Sequence, residues 1–254
     1  MFITHFSYLD IYKCSYNSND YIRSRYDRSH TPHGLFLLPT GDMYTSNLDH
    51  SQVYRWIHAT ATVEIVTQFS ATCTSIFVSV QNVIYCSMPA YDRIVTKLMY
   101  DESDLMTVVA GSGVKGSAAN MLVNPQGIFV NTNLDLYVAD YGNDRVQLFR
   151  SGNGNGITIA GTLDTGVLSR PNSVVLDANS YVYIVDTSND RIVASTPYGF
   201  RCIVNCDGSS DASDHLRSPM LMAFDSFGNI YVTDSNHKYI QKFLLSNNTC
   251  SKCD

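Results

Sequence analysis

One short segment recurs three times along this chain of 254 residues. It reads LYVADYGNDRVQLF at 136–149, VYIVDTSNDRIVAS at 182–195 and IYVTDSNHKYIQKF at 230–243. Near-copies at such intervals are typical of repeat proteins, in which one supersecondary unit cannot bury its apolar face alone and must stack against its neighbours. The repeat therefore restricts the chain to architectures built from a single stacked unit.

The tyrosine of this segment marks six units. They are centred on Tyr12, Tyr44, Tyr85, Tyr137, Tyr183 and Tyr231. Twelve residues before the last five tyrosines the chain has Pro32, Cys73, Pro125, Pro171 and Pro219. The units together occupy residues 1–254, which predicts a single domain. The first unit has no leading proline and lies only 32 residues before the second, so we expect its fourth strand to be missing and its blade to be degenerate or truncated.

Each unit reads as four short strands. In the fourth unit the strands are GIFVN, LYVAD, RVQLF and ITIAG, separated by polar turns. The continuous apolar run of LYVAD predicts burial on both faces, and the alternation in RVQLF predicts a half-exposed strand. Stacking such four-stranded antiparallel units radially gives an all-β propeller. A β-sandwich also contains many short strands, but it does not produce this repeat.

Two long stretches carry a resemblance to a known family. NPQGIFVNTNLDLYVADYGNDRVQLF at 124–149 and SPMLMAFDSFGNIYVTDSNHKYIQKF at 218–243 resemble the NHL repeat, and the spacer TVVAGSGVKGSAANMLVNP at 107–125 resembles the segment between such repeats. The resemblance covers nearly the whole chain and is strongest in the last three units. It implies a six-bladed propeller that serves as a binding platform.

Two charged positions recur at the turn after the second strand. The acidic position is held by Asp140, Asp186 and Asp234, and the basic position by Arg93, Arg145 and Arg191. Because they repeat from blade to blade, structural roles are expected. The aspartates should accept hydrogen bonds from backbone N–H groups, and the arginines should pair with backbone or acidic groups between blades.

Binding residues are expected where the repeat varies. The turn after the second strand and the segment that leads into the proline should lie on one face of the propeller. The non-repeated members of these turns are Asp49, His50, Tyr91, Tyr141 and His237. Mixed aromatic and polar loops on a rigid scaffold are typical of binding surfaces, although solvated turn tips would show the same composition. The leading hypothesis is a non-catalytic module for protein or peptide partners.

Enzymatic alternatives exist among six-bladed relatives. Peptide-amidating lyases place a histidine after the repeat proline, which matches His33 alone, because the later units have Thr74, Gln126, Asn172 and Met220 there. A catalytic zinc site needs about three protein ligands. Calcium-dependent lactonases gather Asp, Asn and Glu, but Glu64 and Glu102 are the only glutamates. We therefore expect no metal or cofactor and regard an enzyme as the second hypothesis.

Charge and hydropathy disfavour two other classes. The net charge is −6 and no cluster of Lys and Arg appears, which argues against nucleic acid, so RNA binding is the third hypothesis. No apolar stretch is long enough to span a bilayer, so no membrane span is predicted. We expect a monomer.

The seven cysteines favour an oxidising compartment. Cys202 and Cys206 are close enough to bridge a tight turn and are the preferred pair. Cys73 and Cys86 flank one hairpin, but the repeat register places them about three residues apart along the ladder, roughly 10 Å, so only a bulge would let them bond. Cys14 is expected near Cys250 or Cys253, because the first and last blades adjoin in a closed ring.

A glycosylation sequon begins at Asn247, whereas no signal peptide is visible, so an extracellular location is favoured without a visible route of export.

Overall fold

The structure is a computed structural model that describes the backbone of residues 2–5, 10–14, 21–25, 32–47, 49–101, 103, 105–161, 167–206 and 215–244. Within these ranges, side chains are described from residue 33 onward. Regular structure in these ranges consists of β-strands and single turns of 3-10 helix. No helix in this part of the chain has the length and apolar character needed to cross a membrane.

Three-stranded antiparallel sheets stand at the two ends of the described chain. The first contains β1 (Phe2–His5), β2 (Asp10–Cys14) and β3 (Tyr21–Arg25). The last contains β20 (Pro219–Phe224), β21 (Ile230–Asp234) and β22 (Tyr239–Phe243).

The four sheets between them each have four antiparallel strands in sequence order. The second sheet contains β4 (Pro32–Leu37), β5 (Met43–Asn47), β6 (Gln52–Ile57) and β7 (Thr62–Gln68). The third contains β8 (Ser75–Val78), β9 (Val83–Met88), β10 (Arg93–Leu98) and β11 (Thr107–Ala110). The fourth contains β12 (Ile128–Val130), β13 (Leu136–Asp140), β14 (Arg145–Phe149) and β15 (Ile157–Ala160). The fifth contains β16 (Pro171–Leu176), β17 (Val182–Asp186), β18 (Arg191–Thr196) and β19 (Gly199–Val204).

The first strands of consecutive sheets are neighbours, from β1 and β4 through to β16 and β20. The sheets therefore stack face to face around a central cavity of about 610 Å³, lined by β4, β8, β12, β16 and β20. This arrangement confirms an all-β propeller of four-stranded antiparallel blades. The number of blades in the ring and the extent of the domain remain predictions.

The apolar core lies between consecutive sheets. Four buried clusters fill the interfaces from the second sheet to the last. The repeat tyrosine belongs to them: Tyr44 and Tyr85 are at most 9% exposed, and each packs towards the following sheet. Burial of apolar faces between blades is what holds such a repeat together, because a single sheet has no other partner for them.

Burial in the fourth sheet follows the prediction in one strand and contradicts it in the next. Every residue of β13 is buried, as its apolar run predicts. The strand β14 was expected to be half-exposed, yet Gln147 at its centre is 0% exposed and its Nε2 donates to the Met121 carbonyl at 3.2 Å. The alternation of polar and apolar residues in RVQLF therefore does not mark an exposed face. Both sides of this strand are covered by neighbouring segments.

Two disulfides lie within the described residues, Cys73–Cys86 and Cys202–Cys206. The second is the expected bridge. The expectation that Cys73 lies too far from Cys86 is wrong, since their Cα atoms are 5.2 Å apart. The ladder of β8 begins only at Ser75, so Cys73 lies before the strand and is not bound to its register. Contacts of Cys14 with Cys250 or Cys253 fall outside the described residues.

Candidate functional site

The turn after the second strand has the same form in three consecutive sheets. Each is a single turn of 3-10 helix: Pro89–Tyr91, Tyr141–Asn143 and Thr187–Asn189. Each turn ends at a left-handed aspartate, namely Asp92, Asp144 and Asp190. Aspartate tolerates positive φ better than most residues, because its short polar side chain bonds locally. Repetition of this turn gives the molecule a surface of similar loops, which we call the loop face.

Buried carboxylates hold these turns in place. Asp140 is 0% exposed and accepts hydrogen bonds from the Val123 N–H, from Asn143 Nδ2 and from Arg145 Nε, each at 2.8 Å. Asp186 repeats the arrangement in the fifth sheet. A buried charge is tolerated only when it is paired and hydrogen-bonded. The predicted capping role of these aspartates is therefore confirmed, and their bonds tie each turn to the segment that leads into the same sheet.

The loops of both predicted kinds lie on this one face. Pro171 stands opposite Asp186 in the β16–β17 ladder, and Pro219 stands opposite Asp234 in the β20–β21 ladder. The segment that leads into each proline therefore reaches the same end of its sheet as the turn that follows the aspartate.

A groove of about 760 Å³ opens on the loop face across the third, fourth and fifth sheets. Its lining combines Tyr141 and Asp144 from the turn of the fourth sheet, Arg170 from the segment leading into the fifth, and Lys115 from the long segment before the fourth. The Arg170 guanidinium carbon lies 6.0 Å from the centre of the Tyr141 ring. A cation over an aromatic ring gives the groove a flat, partly apolar wall with positive charge.

The charges in this groove are only partly balanced. Arg170 and Lys115 are both exposed, and neither forms an ion pair with another described residue. Asp144 Oδ1 accepts the backbone N–H of Arg170 at 2.7 Å, so this carboxylate serves the backbone rather than the guanidinium. The groove therefore presents two cationic groups to an incoming ligand.

The predicted binding residues are spread over the loop face. Tyr141 lines the groove, and Tyr91, which is 47% exposed, follows the groove residue Ala90. Asp49 and His50 are exposed in the turn between β5 and β6. The structure thus brings Tyr141 and Tyr91 close to the groove, while Asp49 and His50 belong to the second sheet.

His237 is tied to its own turn. Its Nδ1 lies 2.9 Å from Oδ2 of the buried Asp234, and its ring stacks on Tyr239 with centroids 5.3 Å apart. In the last sheet this imidazole bonds the repeat carboxylate, which arginine bonds in the two preceding sheets. Its contacts are consistent with a structural role at that turn.

His33, the residue singled out by the lyase resemblance, is partly buried at the start of β4. Burial lowers the pKa of its imidazole, against the opposing effect of the hydrogen bond between its Nδ1 and the Thr74 carbonyl at 2.8 Å. No group of three or more His, Cys, Asp or Glu side chains that could hold a metal ion occurs among the described residues.

Arg170 and Lys115 were not predicted from the sequence. Arg170 directly precedes a repeat proline, where the other proline-containing units have Thr31, Asn124 and Ser218, and this departure from the repeat is the signal that could have identified it. Lys115 lies in the spacer, whose path over the fourth sheet only the folded chain reveals.

The comparison with family models finds the NHL repeat at residues 122–149. Among curated proteins, none matches the chain significantly. The matched segment covers the end of the segment that leads into the fourth sheet, together with β12, β13 and β14.

Several solved structures have a similar fold. A chain in the nidogen/laminin complex shares 16% identity, with a TM-score of 0.69 over 95% of this chain and 91% of the other. A streptogramin B lyase shares 12% identity, with a TM-score of 0.59 over 84% and 68%. An inactive virginiamycin B lyase from Staphylococcus aureus, solved with quinupristin, shares 12% identity, with a TM-score of 0.63 over 95% and 75%. The match at residues 122–149 identifies one NHL repeat within a chain that folds as a β-propeller, and together these findings support an NHL-repeat β-propeller.

Proposed function

We propose that this protein is a non-catalytic binding module that presents its loop face to a protein or peptide partner. In this proposal residues 1–254 form one domain, a six-bladed ring whose first blade is the three-stranded sheet of β1, β2 and β3. The partner lies across the groove, and Asp49, His50, Tyr91 and His237 contribute to the rim around Tyr141. The two disulfides support an oxidising, extracellular location.

The observation that carries the proposal is the groove formed by Tyr141, Arg170 and Lys115. Tyr and Arg are enriched among the residues that dominate binding energy at protein interfaces, because they combine a large contact area with directed hydrogen bonds. Here they stand on turns fixed by buried carboxylates, so little conformational entropy is lost when a partner binds. A groove of about 760 Å³ can receive several side chains of a peptide.

The structural neighbours support a binding role without deciding it. One neighbour comes from a protein–protein complex, that of nidogen with laminin, which favours a protein partner for this propeller. Two others are lyases, so the same fold also carries enzymes. Because function resides in sites rather than in folds, the groove and not the neighbour must be tested.

The test is a selection of random displayed peptides against the disulfide-intact protein. Enriched peptides should lose at least about tenfold in affinity with Tyr141→Ala or Arg170→Asn, because each change removes one contact of interface quality. Asn is chosen for position 170 because Asn124 occupies the equivalent left-handed position. Matched controls are Tyr198→Ala and Arg201→Asn, which remove a second arginine–tyrosine pair, 5.9 Å apart, at the opposite end of the fifth sheet.

Three results would overturn the proposal. Peptides that bind equally well to the groove variants and to the wild type would exclude the groove. Stoichiometric zinc or calcium in the purified protein would favour a metal-dependent enzyme of the amidating-lyase or lactonase kind. Tighter binding of single-stranded RNA than of any selected peptide would favour the RNA hypothesis.

A further inference from the structure

Three arginines occupy the same position in consecutive sheets, at the start of the third strand: Arg93, Arg145 and Arg191. Arg145 donates from Nε to the buried Asp140, and Arg191 does the same to Asp186, each at 2.8 Å. Arg93 faces Met88 across the β9–β10 ladder instead. Met88 is 0% exposed, and its thioether is at best a weak, uncharged acceptor. The counterion that the repeat supplies in the next two sheets is therefore missing here.

Among the described residues, Nε of Arg93 has no backbone acceptor either. The remaining nitrogens of Arg145 donate to carbonyls of the long segment 111–127, at Ser117, Ala118 and Met121. The corresponding segment before the third sheet is only 69–74, between β7 and β8. Over the residues that the structure describes, Nε of Arg93 is buried without a hydrogen-bond partner, and its guanidinium forms no ion pair.

Among the described residues, the guanidinium of Arg93 makes a cation–π contact at the loop face. Its guanidinium carbon lies 5.3 Å from the centre of the Tyr91 ring, which is 47% exposed. A cation–π contact stabilises an arginine but leaves its positive charge uncompensated. A half-buried guanidinium with unused donors, next to a half-exposed tyrosine, is chemically suited to a planar anion.

We propose that Arg93 anchors a carboxylate from an acidic segment of the protein partner, with Tyr91 packing against that segment. The partner would supply to Arg93 the carboxylate that Asp140 and Asp186 supply to the arginines of the next two sheets. This inference rests on the proposed function and names the chemistry of the ligand. A short acidic segment meets less repulsion from a chain of net charge −6 than a long polyanion would, because the long polyanion would extend over the acidic remainder of the molecule.

The first test uses the disulfide-intact chain and two probes, sodium acetate and the peptide Ac-Glu-Glu-Glu-Glu-NH2. The Nε–Hε resonance of Arg93 should shift with either probe, and those of Arg145 and Arg191 should not, because their Nε groups already donate to the buried carboxylates of Asp140 and Asp186. The glutamine peptide Ac-Gln-Gln-Gln-Gln-NH2 should produce no shift. Equal shifts at all three arginines, or with the glutamine peptide, would overturn the inference.

Two variants test the same site by opposite routes. Arg93→Gln removes the cation, and Met88→Asp restores the internal counterion found in the next two sheets. Both variants should lower the affinity for the glutamate peptide at least about tenfold, which is the loss expected for a charge-assisted hydrogen bond. Arg201→Gln, on the opposite face, should have no effect. If Met88→Asp does not fold, Arg93→Gln decides the matter, and undiminished binding by it would overturn the inference.

The outcomes also separate this inference from the proposed function. If selected peptides ignore the loop face while acetate still shifts Arg93, the anion site stands and the binding function fails. If selected peptides need Tyr141 but not Arg93, the function stands and the acidic anchor fails. If a single-stranded RNA shifts Arg93 at lower concentration than the glutamate peptide does, the ligand is a phosphate and the inference is overturned.

Discussion

Oδ1 of Asp144 accepts the backbone N–H of Arg170 at 2.7 Å, and this bond ties the turn of one sheet to the segment that leads into the next. The same link joins Asp92 to Asn124 and Asp190 to Ser218. Donor and acceptor residues all have positive φ. Consecutive blades are thus joined by a polar link at the loop face in addition to the apolar cluster between them.

Replacing Asp144 tests this link. Asp144→Ala should destabilise the fold by about 2–3 kcal/mol, because it removes the hydrogen bond and because alanine lacks the short polar side chain that makes the left-handed conformation tolerable. Asp144→Asn keeps an acceptor oxygen and tolerates positive φ, so it should cost less than about 1 kcal/mol. Urea unfolding measures both. Equal losses for the two variants would show that the link contributes nothing.

The buried carboxylates should be much more sensitive. Asp186→Ala leaves the Arg191 guanidinium and the Ser169 N–H without their acceptor, so a loss of about 3–5 kcal/mol is expected. Asp177→Ala is the matched control, because Asp177 accepts backbone N–H groups in an exposed turn of the same sheet and should cost only about 1 kcal/mol. Similar losses for both would contradict the role assigned to burial.

The two disulfides should differ in their resistance to reduction. Cys73 and Cys86 are at most 1% exposed, whereas Cys206 is exposed at the end of β19. Dithiothreitol under native conditions should therefore open Cys202–Cys206 first, because attack by a thiolate needs access to sulfur. Differential alkylation followed by peptide mass spectrometry gives the order. Simultaneous opening would mean that the hairpin of β8 and β9 opens readily.

The pH dependence of stability should report on His33. Because burial lowers its pKa in the fold, the unfolded chain binds the proton more tightly. The stabilising contribution is therefore complete above the ordinary pKa of about 6.5 and is lost as pH falls through the lower folded value. His33→Gln should show a weaker loss of stability between pH 7.5 and about 5. An identical pH dependence in the two proteins would contradict the lowered pKa.

Much of the fold could be predicted from the spacing of tyrosines and prolines. That spacing predicted the strands β12 to β15 and the turn at Tyr141–Asn143, because repeat position fixes secondary structure when every copy must stack in the same way. Burial was harder to predict. Gln147 lies on a strand covered by a long segment, and polarity alone cannot show that a polar residue bonds to a carbonyl underneath such a segment.

The candidate site was predicted only in part. Tyr91 and Tyr141 were identified as non-repeated loop residues, whereas Arg93 was assigned the paired role that its two copies have. Counting three residues beyond Tyr85 gives Met88 where the last three units have aspartate, and this substitution was visible in the sequence. The lengths of the segments before each sheet were also visible, but their reach over the surface depends on the packed blades.

The bridge between Cys73 and Cys86 also bears on how the chain would respond to mechanical force. Pulled from its two ends, the molecule would release its sheets as separate extensions, each with the contour length of its own residues. In the third sheet the disulfide closes a loop of 13 residue steps, which cannot extend while the disulfide is intact. That sheet should therefore lengthen by about 40 Å less than an uncrosslinked one. A reductant would restore the missing length, so the third sheet would carry a distinct step in a single-molecule force trace.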